Sequence, residues 1–117
     1  MMQERSWNSV EVRFIDYDQV LADLRRAVAE AKAAHPEIAR VFLFGSLVQG
    51  NWTADSDADL IVVVRRDFAD IFERGSYHIS APSIPTDTVV YSEGEFEKLA
   101  RDPSSFLAQN LATALEL

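Results

Sequence analysis

FLFGSLVQGNWTADSDADLIVVV, residues 42–64, holds two apolar runs separated by a polar stretch. The first run ends in Gly45-Ser46. After ten intervening residues, Asp57-Ala58-Asp59 opens the second run, LIVVV. Apolar runs this short, bounded by glycine and small polar residues, read as buried strands. In a strand, residues i and i+2 face the same way, so Asp57 and Asp59 present two carboxylates side by side. Paired like charges make a poor core and a good seat for a divalent cation. Magnesium takes hard oxygen ligands, commonly one or two carboxylates, and fills the rest of its shell with water and substrate phosphates. Glycine lets backbone approach a ligand closely, and the N–H groups of a turn or helix start hold phosphate oxygens. A phosphate cradle at Gly45 and Ser46 beside a metal site at Asp57 and Asp59 implies metal-assisted chemistry on a nucleoside triphosphate. Alone, Asp-x-Asp is a weak signal, because SDAD is also a good turn, and Ser46 is a good helix cap in its own right. The specificity lies in the spacing between two apolar strands.

Outward from this stretch, residues 9–15 (SVEVRFI) alternate apolar and charged positions and predict a half-buried strand. Asp16 precedes a helix over 17–34, with Gln19 placed for a capping box. Tyr17, Val20, Leu21, Leu24, Val28 and Ala31 make its apolar stripe, and Asp18, Asp23, Arg25, Arg26, Glu30 and Lys32 its polar face. Pro36 ends it. Strands follow at 40–44 and 58–64, with a short helix at 46–50 and a polar loop at 51–56 between them. A short helix at 67–74 leads into a loop over 75–85 containing Pro82 and Pro85. A third strand spans 86–91, and two helices cover 93–101 and 104–115. The expected fold is α/β (α+β): one domain over 1–117, with 1–16 as an additional N-terminal strand segment. In it a small mixed sheet packs its helices on one face and leaves the carboxylates on the other.

The chain has 117 residues, 48% of them apolar, which suffices for one core. There is no cysteine, so thiolate metal sites and disulfides are excluded. Its two histidines, His35 and His78, are too far apart in sequence to suggest a zinc site. No membrane span or signal peptide is read, and the expected location is the cytoplasm. The net charge of −8 argues against long nucleic acid, which binds basic surfaces. It also repels a triphosphate unless a cation is present, and it suits a basic protein partner.

The spacing Gly-Ser-x10-Asp-x-Asp resembles the DNA polymerase beta-like nucleotidyltransferase superfamily, in particular its minimal, single-domain branch, over roughly residues 37–117. Gly45, Ser46, Gly50, Ser56, Asp57, Asp59 and Leu60 fall where that family places its motif residues. The resemblance implies nucleotide contacts from Gly45, Ser46 and Ser56. The family's third carboxylate lies on a later strand, and Asp87 in IPTDTVVY fits that slot, as a metal ligand or as the base that activates the attacking group. Many members carry a basic or aromatic residue directly after Gly-Ser, where this chain has Leu47.

What the resemblance implies is a Mg²⁺-dependent transfer of a nucleoside monophosphate, most simply AMP from ATP, to an acceptor hydroxyl, with pyrophosphate released. Minimal members often pair with a separate helical protein of the HEPN class, act as its antitoxin and in some cases transfer AMP to its tyrosine. Two other roles stand beside this one: a small-molecule nucleotidyltransferase working as a homo-oligomer, and a catalytically silent module that neutralises a partner by contact. Arg65 and Arg66 are read as surface ion pairs, with substrate phosphate as the alternative. Trp52 is read as loop packing, with base stacking as the alternative. Tyr77 and His78 are read as structural or solvated, and Asp55 as solvated. Phe106, Leu107, Leu111 and Leu115 pack on the sheet, with a partner interface as the alternative.

Overall fold

Asp16 opens the described part of the chain, residues 16–53 and 55–117 of a computed structural model. Its side chain accepts the Gln19 N–H at 3.2 Å and starts α1, Tyr17–Ala34. Such a cap is worth about 1 kcal/mol. The strand expected over 9–15 lies outside the described residues. Along α1, Val20, Leu24, Ala27 and Val28 are buried at helical spacing, as the apolar stripe requires. One position departs from the reading: Asp23 is buried. It accepts from Gln19 Nε2 at 2.9 Å and pairs with Arg26 at 3.4 Å. A hydrogen bond from Ser83 does most to hold its pKa below the usual carboxylate value, with Gln19 and Arg26 adding to it against the cost of burial.

The remaining elements are β1 (Ile38–Phe44), α2 (Ser46–Gln49), β2 (Ala58–Val64), a 3-10 helix (Ile71–Tyr77), β3 (Thr86–Ser92), α3 (Glu93–Ala100), α4 (Phe106–Leu111) and β4 (Leu115–Glu116). The sheet order is β3-β2-β1-β4. β1 runs antiparallel to β2 and β4, and β2 runs parallel to β3, so the sheet is mixed as expected. β2 is central. Leu60, Val62 and Val64 face one cluster and Ile61 and Val63 the other, which is why its sequence is continuously apolar rather than alternating. Burying each such side chain stabilises the fold by about 1.5–3 kcal/mol.

The expectation that the helices pack on one face is corrected in detail. α1 and Leu47 of α2 cover the face carrying Val41, Leu43, Leu60 and Val62. Phe96 of α3 and Leu107 of α4 cover part of the other, against Phe42, Phe44, Ile61 and Val63. The alternation of β1 makes this necessary, because Phe42 and Phe44 are as apolar as Val41 and Leu43 and need their own cover.

Two helices are also corrected. The one expected over 67–74 is a 3-10 turn at Ile71–Tyr77; its start is set by Asp70, whose carboxylate accepts the Phe72 N–H at 2.7 Å. The one expected over 104–115 stops at Leu111, and Leu115–Glu116 join the sheet instead. There Arg40 makes a two-point pair with Glu116, at 3.1 and 2.9 Å, and the Leu117 N–H donates to the Val41 carbonyl at 2.9 Å. Pairing with the open edge of β1 outweighs the helical spacing of the leucines.

Candidate active site

The register of the three longer strands draws one row across the sheet. Phe44 of β1 is the partner of Asp59 of β2, and Asp59 is the partner of Asp87 of β3. Neighbouring strands lie about 4.8 Å apart, so residues in such a row stand side by side. β2 begins at Ala58, whose N–H donates to the Pro85 carbonyl at 2.8 Å and ties the start of β2 to the approach of β3. Asp57 is exposed and immediately precedes β2; Asp87 is exposed at the second position of β3; Asp59 is half-buried between them. Burial holds the Asp59 carboxyl above its ordinary pKa, and the negative charges of Asp87 and then Asp57 push it further the same way. The three sequence-predicted carboxylates are therefore brought close enough to feel one another.

Gly45 adjoins this cluster. Its backbone has φ 85 and ψ −151, a region open essentially to glycine alone. A Cβ built on it would stand 2.5 Å from Oδ2 of Asp59. The turn out of β1 therefore passes against the carboxylate with room for a hydrogen and nothing larger. Gly45, not Ser46, is the cap of α2, and it makes no side-chain capping bond. The Val48 and Gln49 N–H groups both donate to the Gly45 carbonyl at 3.1 Å. Ser46 sits in the first turn, where N–H groups have no acceptor inside the helix, and its hydroxyl is not used for capping. Gly50, at φ 84, closes the turn in the left-handed region with its N–H on the Ser46 carbonyl at 3.0 Å. Leu47 is buried in the core on the α1 side. The residue that departs from the family pattern is spent on packing.

Ser56 Oγ accepts the Thr53 N–H at 2.8 Å, and the Ser56 N–H donates to the Thr53 carbonyl at 3.1 Å. These bonds shape the turn that delivers Asp57. A hydroxyl also donates, so one bond to a ligand stays available. Asp55 is exposed, as expected.

Other candidates have structural partners. Arg65 pairs with Glu93 at 3.8 Å and Arg66 with Glu73 at 2.8 Å. Trp52 stacks on Tyr17 with centroids 6.2 Å apart. Tyr77 is buried and donates to Glu37 at 2.6 Å, and the exposed His78 lies 3.3 Å from the Thr86 hydroxyl. A cavity of about 330 Å³ lies beside β3, lined by Arg74, Gly75, His78, Thr88, Val89 and Val90, and none of the three aspartates lines it.

Hard oxygen donors, an Asp59 charge raised in energy by its neighbours and a glycine cradle beside it fit a divalent cation with a bound triphosphate. Among the described residues no three Asp, Glu or His side chains are gathered closely enough to hold a metal ion by themselves. Magnesium does not require such a set, since it retains water and takes substrate oxygens.

The nucleotidyltransferase domain family model matches residues 24–111. The chain belongs to this family. The matched segment runs from the middle of α1 through β1, β2 and β3 to the end of α4, so this nucleotidyltransferase domain carries the whole carboxylate row within it. A solved structure from Sulfolobus solfataricus, provisionally described as a nucleotidyltransferase, is similar with a TM-score of 0.56 and 23% identity, over 70% of this chain and 75% of that one. At that identity the likeness shows a shared fold. No curated protein matches the chain.

Proposed function

We propose that this nucleotidyltransferase domain transfers AMP from ATP to an acceptor hydroxyl in a Mg²⁺-dependent reaction. The observation that carries the reading is the Asp59–Asp87 row, with Asp57 beside it and the Gly45 turn pressed against Asp59. Asp57, Asp59 and Asp87 would hold the cation, which supplies charge neutralisation and a more acidic acceptor hydroxyl. The first-turn N–H groups at Ser46 and Leu47 and the Ser46 hydroxyl hold phosphate oxygens, and Ser56 keeps Asp57 in place and has a proton to donate. The acceptor oxygen attacks the α-phosphorus in line, and the bond to pyrophosphate breaks. Asp87, exposed at the edge of the row, would take the acceptor's proton. Most of the acceleration comes from positioning and charge, as in phosphoryl transfer generally.

The acceptor in this reading is a hydroxyl on a separate helical protein of HEPN type, for which this chain is the antitoxin in the cytoplasm. The net charge of −8 supports a basic partner face. Incubation with radiolabelled ATP, Mg²⁺ and the helical protein encoded beside this one is the test. The expected result is an AMP adduct on the partner by mass spectrometry. An unlabelled partner, with strong labelling of a small hydroxylated molecule instead, would replace this acceptor with the small-molecule reading. In the same assay Asp87→Asn is expected to keep its circular dichroism and most nucleotide binding while transfer falls about 10²–10⁴-fold. Transfer near the wild-type rate would make Asp87 a strand-start residue only.

A further inference from the structure

Phe106 is 53% exposed, although it sits in the first turn of a helix whose next residue, Leu107, is 1% exposed. Its ring meets Phe44 edge-to-face, with centroids 5.6 Å apart and planes at 87°. Phe44 is the strand partner of Asp59. Directly opposed residues on antiparallel strands share a face, with Cβ atoms about 4.5–5.5 Å apart. The Phe44 side chain therefore lies on the same face as the Asp59 carboxylate, and the Phe106 ring packs against Phe44. Across the sheet the row runs Asp87, Asp59 and Phe44, and the half-exposed Phe106 ring of α4 adjoins its aromatic end.

The helix start that carries Phe106 is anchored. Ser105 caps its helix by accepting the Ala108 N–H at 3.0 Å, and the Ser105 hydroxyl donates to the Leu99 carbonyl at 2.6 Å. Asn110 Nδ2 donates to the Phe106 carbonyl at 2.8 Å. These bonds fix the backbone that carries Phe106, and its edge-to-face contact with Phe44 supports the ring, so less freedom is lost when something packs on it. A nucleoside triphosphate carries the matching sequence of chemistry, with anionic phosphates, then a ribose, then a flat base.

We propose that the nucleobase of the bound triphosphate stacks on Phe106, with Phe44 bracing the ring from beneath. This rests on the reading that the carboxylate row binds the Mg²⁺-triphosphate group. Stacking uses the π-face that every base has, so selection follows ring size rather than hydrogen-bonding pattern. ATP and GTP are expected to bind alike and more tightly than CTP and UTP.

The test is titration of the full chain with Mg²⁺-ATP and, separately, with Mg²⁺ and inorganic triphosphate. Phe106→Ala is expected to weaken ATP about tenfold and leave triphosphate unchanged. Phe106→Leu, which keeps apolar cover over Phe44 but lacks a π-face, is expected to do the same with the fold retained. Phe106→Trp is expected to restore or exceed wild-type ATP affinity. Folded Phe106→Ala and Phe106→Leu proteins that bind ATP as wild type does would overturn the proposal. So would equal weakening of ATP and triphosphate, which would make the ring a mere support for the site. Wild-type protein that binds neither ligand would overturn the carboxylate reading and this inference together. Wild-type protein that binds triphosphate as tightly as ATP would overturn the inference alone.

Discussion

Gly45 satisfies two constraints that no other residue meets together. Its backbone occupies a region closed to side chains, and its missing Cβ is the space that Asp59 Oδ2 fills. Gly45→Ala is therefore expected to cost about 1–3 kcal/mol in denaturant unfolding and to displace the Asp59 carboxylate, so that Mg²⁺-ATP binding weakens with it. Asp59 carries the opposite kind of cost. Its folded-state pKa is raised, so the penalty of its charge is present above that pKa and relieved as pH falls through it. Asp59→Asn is expected to raise the melting temperature at pH 7 by about 1–3 °C, a modest gain because a half-exposed charge is screened. A melting temperature unchanged or lowered would mean that the neighbouring carboxylates do not strain the site. The two aspartates and the glycine were legible in the sequence because chain spacing alone sets them. Asp87 was legible only through the family resemblance, since its partnership with Asp59 depends on a crossover of more than twenty residues. The use of Leu47 for the core and the burial of Asp23 were hidden because both depend on what packs against them.

At the scale of elements, α3 shows how a helix is fastened to the sheet. Ser92, the last residue of β3, accepts the Glu95 N–H at 3.1 Å, and Glu95 accepts the Ser92 N–H at 2.9 Å. Arg74 then grips both Glu95 oxygens, at 2.8 and 2.7 Å, and donates to the Val90 carbonyl at 2.7 Å. Led by the Arg74 bonds, these contacts hold the Glu95 pKa at about 2, against an ordinary 4.5. A depressed carboxylate stabilises the fold above its unfolded value and loses that contribution as pH falls through the folded one. Wild type is thus expected to lose stability between about pH 4.5 and 2 more steeply than Glu95→Gln. At pH 7 that variant is expected to cost about 1 kcal/mol in urea unfolding. Parallel acid limbs would show that the clamp is not formed in solution. The Ser92-x-x-Glu95 pattern was present in the sequence for this capping box. α1 and β2 could be delimited from periodicity and capping because local signals and tertiary packing agree there. β4 could not, because Leu115–Glu116 are extended only through their pairing with Phe42 and Leu43.

For the whole molecule, the mixed sheet with helices followed from the order of apolar runs, but the division of helices between its faces did not. Both faces of β1 and β2 are apolar, and only the packed structure assigns α1 to one and α3 with α4 to the other. That assignment has a functional consequence, because it places an aromatic ring on the same side as the carboxylates. The strand register, in a chain of net charge −8, sets Asp59 beside Asp87 where the proposed polyanionic ligand would bind. In the proposed reading a cation completes this site. Calorimetric titration of ATP in the presence and absence of Mg²⁺, into wild type and into Asp57→Asn/Asp59→Asn, tests that claim most directly. The account predicts saturable binding to wild type only with Mg²⁺ and none detectable in the folded double variant. Undiminished Mg²⁺-ATP affinity in that variant would contradict it.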